Sequence, residues 1–245
     1  MMTHGSVFSG IGGFDLAAQW AGFENIFQVE IDNFCQKVLA RNFPQVKRYK
    51  DIRKFDGTKY KGTIDVISGG FPCQPFSFAG KRKGAGDDRA LWFEMFRVIK
   101  EAQPSWIIGE NVVGIISMEL DNYISDLEGE GYEVQAFIIP ACAKDATHRR
   151  DRVWIVANSK SNGFNRMGNA ENFWETCGEI NPLDNDSQII GKQEGWGTEP
   201  SVDRVVNGLP DGVDRLKGLG NAIVPQVATE IFRAIKAVDR SFKII

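Results

Sequence analysis

A cysteine in a constrained turn is the first candidate for chemistry in this sequence. The stretch GFPCQPFS places Cys73 between Pro72 and Pro75 and shortly after Gly69 and Gly70, which predicts a rigid, non-helical turn. A thiolate held in such a turn can act as a nucleophile. Free cysteines are equally often buried and inert, so position alone leaves both interpretations open.

Charged side chains follow at two later points. Glu110 ends the apolar run SWIIGE, where its carboxyl group could face the same crevice as the thiol or could simply be solvated. In HRRDRVWIVA, Arg150 and Arg152 lie two apart on a predicted strand and project to one face. Two adjacent guanidinium groups suit a phosphate or a base carbonyl.

A glycine-rich turn near the start of the chain predicts a nucleoside site. The run GSVF leads straight into FSGIGGF, where Gly10, Gly12 and Gly13 allow a tight turn and the close approach of a ligand. Glu30 then ends the next strand, in a place where its carboxylate can accept hydrogen bonds from ribose hydroxyls. Asp51, further along, could accept from an exocyclic amine.

The same turn departs from the dinucleotide pattern. Asp15 stands where GxGxxG has its third glycine, and no Gly-Lys-Ser/Thr follows, so neither a pyrophosphate site nor a phosphate loop is predicted. A nucleoside without phosphates remains, of which S-adenosylmethionine is the commonest. The alternative is that these glycines only end a tight strand-to-helix turn.

Short apolar runs alternate with helical patterns along most of the chain. The predicted parallel strands are GSVF, NIFQVE, TIDVISGG and SWIIGE, and the predicted helices between them are FDLAAQWAGF, NFCQKVLARNF and ALWFEMFRVIKEA. This alternation predicts an α/β fold with a doubly wound, mostly parallel sheet. VQAFIIPA and RVWIVA predict an antiparallel hairpin at one sheet edge, and Pro225 lies in the first turn of a predicted closing helix.

The pattern divides the chain into three parts. Residues 1–157 form a predicted catalytic and cofactor-binding domain, and 214–245 return to it. Between them, 158–213 are rich in Asn and Gly, and we expect a small inserted recognition region there.

Composition limits the class of protein. A formal net charge of −3 argues against nucleic-acid binding by overall charge and leaves room for a local basic patch. The four cysteines form no CxxC pair and are accompanied by only two histidines, so no metal site is expected. Neither an export signal nor a membrane span is predicted, and a cytoplasmic location is expected.

Taken in order, FSGIGGFDLA, GFPCQPFS, ENV, HRRDRVWIVA and GLGNAIVPQVA resemble the DNA (cytosine-5) methyltransferase family. The resemblance implies a Rossmann-like fold that binds S-adenosylmethionine and transfers its methyl group to carbon 5 of a flipped-out cytosine. It makes Cys73 the nucleophile and has Glu110, Arg150 and Arg152 grip the base. It assigns these residues to the cofactor: Phe8, Gly10, Gly12, Gly13, Glu30, Ile31, Asp51, Ile52, Pro72, Leu91 and Asn221.

The resemblance also implies the partners. Duplex DNA is the expected substrate, the protein is expected to be a monomer, and a cognate restriction endonuclease would act on the same site. The basic, glycine-containing segment from Gln74 to Arg89 predicts a loop that contacts DNA through Gln74, Ser77, Lys81, Arg82 and Lys83, and the alternative is a solvated, flexible turn. The alternatives are methylation of cytosine in transfer RNA, a DNA-binding relative without catalysis, and a small-molecule or protein methyltransferase.

Overall fold

The computed structural model of the chain describes residues 1–72, 88–144, 150–159 and 222–242. These residues form a seven-stranded sheet with helices on both faces. Its strands are β1 (Thr3–Val7), β2 (Glu24–Val29), β3 (Lys47–Tyr49), β4 (Val66–Gly69), β5 (Trp106–Val112), β6 (Tyr132–Pro140) and β7 (Asp151–Ser159). Within the described residues no helix is long and apolar enough to cross a membrane.

The strand order is β3-β2-β1-β4-β5-β7-β6. The first five strands in this order pair in parallel, whereas β7 is antiparallel to both β5 and β6. The predicted doubly wound, mostly parallel sheet with an antiparallel edge hairpin is therefore confirmed. The short edge strand β3 was not among the predicted strands, because its three residues, KRY, are too few to show an apolar pattern.

Within the described parts of the chain, five helices connect or cover the strands. They are α1 (Gly13–Trp20), α2 (Asn33–Asn42), α3 (Asp88–Ala102), α4 (Leu120–Gly129) and α5 (Pro225–Phe242), with short 3-10 turns at Ile52–Lys54, Gly57–Tyr60, Val113–Ser117 and Ala141–Lys144. The carboxylate of Asp32 starts α2 by accepting from the backbone N–H groups of Phe34 and Cys35 at 2.8 and 3.0 Å. Pro225 starts α5, as the sequence predicts.

Both faces of the sheet are buried, so the strands carry apolar side chains in both directions. Ile67 and Ile107 pack with Met95 and Ile99 of α3 on one face. The neighbouring β5 residue, Ile108, points to the other face and packs in a second cluster that α1 and α5 supply. Each such side chain contributes about 1.5–3 kcal/mol when fully buried. Because α5 packs beside α1, the end of the chain returns to the first strand.

Candidate active site

The carboxyl ends of β1, β2, β4 and β5 meet at one edge of the sheet. The segments that leave this edge are Phe8–Gly12 after β1, Glu30 after β2 and Gly70–Pro72 after β4, and β5 brings Glu110 to the same edge. Ligand sites of doubly wound folds lie at this edge, because the loops there diverge and leave a crevice. Most of the described residues that the sequence predicts for the site are therefore brought together.

A buried ion pair forms the centre of the described site. Glu110 is 8% exposed, and its Oε1 lies 3.0 Å from Nε of Arg152. The antiparallel register of β5 and β7 produces this contact, since it places Val112 opposite Arg152 and Glu110 opposite Trp154. A carboxyl group beside a guanidinium group is thus fixed near the end of β5.

The position of Arg150 differs from the prediction. It was expected on the strand with Arg152, but β7 begins at Asp151, and Arg150 precedes it with a φ of 35°. From this left-handed conformation, its Nη2 donates to the carbonyl oxygen of Ala222 at 2.7 Å. Its charge still acts on Glu110, so the two arginines and the carboxyl group remain neighbours.

The environment of Glu110 favours its protonated form. Burial raises the pKa of its carboxyl group to about 7, although the positive charges of Arg152 and Arg150 act in the opposite direction. Burial and the nearby Arg152 lower the pKa of Arg150. Near neutral pH, Glu110 can therefore either donate or accept a proton, as a general acid–base residue must.

The segment leading to Cys73 is fastened to β5, although Cys73 itself lies outside the described residues. A Cβ added at Gly70 would lie 3.4 Å from Oε2 of Glu110, so the backbone passes close to the carboxyl group. Nδ2 of the buried Asn111 donates to the carbonyl oxygen of Phe71 at 3.0 Å. Sequence reasoning gave Asn111 no role of its own, although its place within Glu-Asn-Val was the available signal.

The three glycines near the first strand differ in their surroundings. A Cβ at Gly10 would meet nothing within 4 Å, which leaves an open face for a ligand. At Gly12 it would lie 2.6 Å from the ring of Phe43, and at Gly13 2.6 Å from Cγ1 of Ile223. Close approach to a ligand therefore fits Gly10, whereas Gly12 and Gly13 already have a packing reason to be glycine.

Glu30 links the glycine turn to the end of β2. Its Oε2 accepts from the backbone N–H of Gly10 and its Oε1 from that of Asp32, both at 2.7 Å. Each carboxylate oxygen has a second lone pair, so ribose hydroxyls can still donate to it. The neighbouring Ile31 is 59% exposed and offers an apolar surface to a base. These surroundings fit the nucleoside part of S-adenosylmethionine.

The residues after β3 include two that are predicted to contact the adenine end of the cofactor. Asp51 accepts from the backbone N–H and Nε of Arg53, which lowers the pKa of its carboxyl group. The side chain of Ile52 is buried in the core, so only its backbone can face a ligand. Arg97 of α3 donates to the Ile52 carbonyl oxygen at 2.6 Å and so fixes this turn. Leu91 packs against the same core.

Several predicted site residues lie outside the described residues. They are Cys73, Gln74, Ser77, Lys81, Arg82, Lys83 and Asn221, and the expected recognition region 158–213 is described only at its first two positions. Pro72, immediately before Cys73, is described and exposed. The carbonyl oxygen of Ala222, immediately after Asn221, accepts a hydrogen bond from Arg150, so the chain leading into α5 comes beside this arginine.

Comparison with known proteins gives one family. A family model described as C-5 cytosine-specific DNA methylase matches residues 2–193. Type II methyltransferase M.Eco47II of Escherichia coli is 36% identical over 161 residues, which cover 62% of this chain and 38% of that protein. Type II methyltransferase M.NgoMIV of Neisseria gonorrhoeae is 35% identical over 165 residues, 64% of this chain and 53% of that protein. The chain thus spans about two fifths to half the length of these relatives.

Solved structures agree in fold. A DNA modification methyltransferase encoded within a prophage of E. coli superposes with a TM-score of 0.58 and 28% identity, over 66% of this chain and 48% of that one. The DNMT2 of Spodoptera frugiperda gives a TM-score of 0.57 at 23% identity, over 66% and 51% of the two chains. At the latter identity the likeness concerns the fold.

Proposed function

The chain belongs to the C-5 cytosine-specific DNA methylase family, and from this premise we propose that it methylates carbon 5 of a cytosine in duplex DNA. The family uses S-adenosylmethionine as methyl donor. The observation that carries the proposal is the buried Glu110–Arg152 pair beside the backbone of Gly70, three residues before Cys73. Carboxyl, guanidinium and thiol groups are what an addition to the cytosine ring requires.

Carbon 5 of cytosine is a weak nucleophile and needs activation. In the proposed mechanism, the Cys73 thiolate forms a bond to carbon 6 of the ring, and the ring electrons move toward N3. Glu110 gives its proton to N3, while Arg152 holds the O2 carbonyl. The result is an enamine in which carbon 5 is nucleophilic. S-adenosylmethionine, when bound, supplies the electrophilic methyl group that carbon 5 takes up.

The remaining steps restore the enzyme. A base, for which a bound water is a candidate, removes the proton on carbon 5, the bond between carbon 6 and sulfur breaks, and N3 returns its proton to Glu110. A carboxyl group whose pKa lies near 7 suits both directions of this transfer. The ring atoms are out of reach inside a stacked duplex, so the target cytosine must first be flipped out, at a cost of a few kcal/mol.

We propose that the methyl donor binds at the glycine turn. Glu30 would receive the ribose hydroxyls, the open face of Gly10 would allow close approach, and Ile31 would cover the base. Asp51 would accept from the adenine amine. We further propose that residues 158–213 read the target sequence, that the enzyme acts as a monomer, and that a restriction endonuclease of the same specificity accompanies it.

The covalent step is tested with DNA that carries 5-fluorocytosine at the target position. Bisulfite sequencing of DNA from cells that express the protein first identifies this position. Fluorine blocks the final elimination, so the wild-type protein should form a stable adduct, and Cys73→Ser should form none while still binding S-adenosylhomocysteine. Cys142→Ser is the matched control, because Cys142 is an exposed free cysteine. Methylation of this site without any adduct would exclude the mechanism, and methylation of transfer RNA but not duplex DNA would assign the RNA substrate.

A further inference from the structure

A fully buried carboxyl group that the proposed mechanism does not use lies beneath the glycine turn. Asp15, in the first turn of α1, accepts from Oγ of Ser6 at 3.1 and 3.0 Å and from Nε2 of Gln28 at 3.0 Å. An ionised carboxylate only accepts hydrogen bonds, and its described side-chain partners both donate. The arrangement therefore suits the charged form of Asp15.

A chain of hydroxyl groups joins this carboxylate to the turn. Oγ of Ser9 lies 2.6 Å from Oγ of Ser6. With the hydroxyl proton of Ser6 donated to Asp15, Oγ of Ser9 can donate to Oγ of Ser6 or to the carbonyl oxygens of Ser6 and Val29, at 3.2 and 3.3 Å. The backbone N–H of Ser9 donates to the Val29 carbonyl oxygen at 3.1 Å, and the next N–H, that of Gly10, donates to Glu30. Both the side chain and the backbone of Ser9 are thus fixed.

The segment held in this way is strained. Phe8 has a φ of 53°, in the left-handed region that a bulky side chain rarely adopts, and Gly10 follows with a φ of 54°. Such a conformation at a residue other than glycine persists only where its surroundings enforce it, and it is frequent at ligand sites. Ser9, the residue between them, is held by the hydrogen bonds that lead through Ser6 to Asp15.

The charge on Asp15 is costly to keep buried, although its hydrogen bonds and its position in the first turn of α1 offset part of this cost. Burial raises the pKa of its carboxyl group to about 6, so keeping it ionised at neutral pH costs stability. His4, on the same strand as Ser6, bonds Asn25 and Ser68, and burial lowers its pKa to about 4, so the ring is neutral. A buried charge kept at a cost beneath a strained ligand turn indicates a functional role.

We propose that Asp15 is a positioning residue, which acts through Ser6 and Ser9 to hold Phe8–Gly10 in the conformation that receives S-adenosylmethionine. This inference rests on the proposed function, because it assumes that the glycine turn binds that cofactor. It predicts that the hydrogen-bond chain sets cofactor affinity, although none of Asp15, Ser6 and the Ser9 side chain needs to touch the cofactor.

The test compares cofactor affinity with stability in the full chain. Titration calorimetry with S-adenosylhomocysteine and urea unfolding at pH 8 are applied to wild type, Asp15→Asn, Ser9→Ala and the double variant. Asp15→Asn should raise Kd about tenfold, as expected when a hydrogen bond to a charged group is lost. It should leave stability unchanged or higher, because the buried charge is gone. Ser9→Ala should weaken binding similarly. The double variant should bind S-adenosylhomocysteine no more weakly than the weaker-binding single variant, since both residues act through one series of hydrogen bonds.

Asp65→Asn is the matched control. Asp65 accepts from the backbone N–H and the hydroxyl of Thr3 at the opposite end of β1, so its loss should lower stability and leave Kd unchanged. Wild-type affinity in Asp15→Asn would overturn the inference, as would an equal loss of affinity in Asp65→Asn. If wild type itself does not bind S-adenosylhomocysteine, the proposed function fails as well; binding that Asp15→Asn leaves intact removes only the positioning role.

Discussion

Replacing Glu110 by glutamine should change how the stability of the protein depends on pH. Burial raises the pKa of this carboxyl group from an ordinary value of 4.5 to about 7 in the folded state. Because the folded-state pKa lies above the unfolded one, the contribution of Glu110 to stability is complete below about pH 4.5. It is lost as the pH rises through about 7, since ionisation is then easier in the unfolded chain.

The size of this loss follows from the two pKa values. Each pH unit between them corresponds to ~1.4 kcal/mol, so the loss amounts to ~3 kcal/mol between pH 4.5 and pH 8. Glu110→Gln has no proton to lose. Its free energy of unfolding should therefore rise relative to wild type by ~3 kcal/mol across this range. The constant cost of leaving Arg152 without its ionic partner, at 3.0 Å, cancels when two pH values are compared.

Urea unfolding at pH 4.5, 6, 7 and 8 measures the difference, provided that the transition stays two-state. Glu128→Gln, an exposed position on α4, is the control and should follow wild type at every pH. A constant difference between Glu110→Gln and wild type would mean that Arg152 keeps Glu110 ionised in spite of its burial. The carboxyl group would then have no proton to give to ring N3, and the proposed acid–base role would be refuted.

Three further predictions concern other parts of the molecule. Gly12→Ala should lower the free energy of unfolding by ~3 kcal/mol, because φ is +92° and the new methyl group would lie 2.6 Å from a buried ring. Gly62→Ala, with φ +75° and nothing within 4 Å, should cost only ~1 kcal/mol in the same urea titration, and equal losses would contradict the packing argument. Asn111→Ala should lower kcat at least ~tenfold with an unchanged Kd for S-adenosylhomocysteine, because it releases the Phe71 carbonyl in the segment that leads to Cys73, the proposed nucleophile; an unchanged kcat in steady-state assays would refute this. If the basic run 81–83 makes three phosphate contacts, Kd for duplex DNA should rise ~40-fold between 50 and 200 mM salt, and fluorescence anisotropy that shows no salt dependence would exclude these contacts.

The sequence by itself determined the order of the elements and the family. Periodic apolar runs depend only on local side-chain types, so β1, β2, β4, β5 and the hairpin of β6 and β7 were all predictable. The motif around Cys73 and the later Glu-Asn-Val identified the family through their order along the chain. Strand β3 was not predicted, because three residues, of which only Tyr49 packs against the core, are too few to show an apolar pattern.

Only the tertiary structure decided which groups touch. The distance of 3.0 Å between Glu110 and Arg152 depends on the antiparallel register of two strands that are far apart in sequence. The same holds for Asp15. In the sequence it stands in place of a motif glycine, whereas in the structure it is a buried carboxylate that accepts hydrogen bonds from Ser6 and Gln28. Residue types indicate which chemistry is available, but a pKa or a strained backbone depends on burial and on partners that only the folded chain assembles.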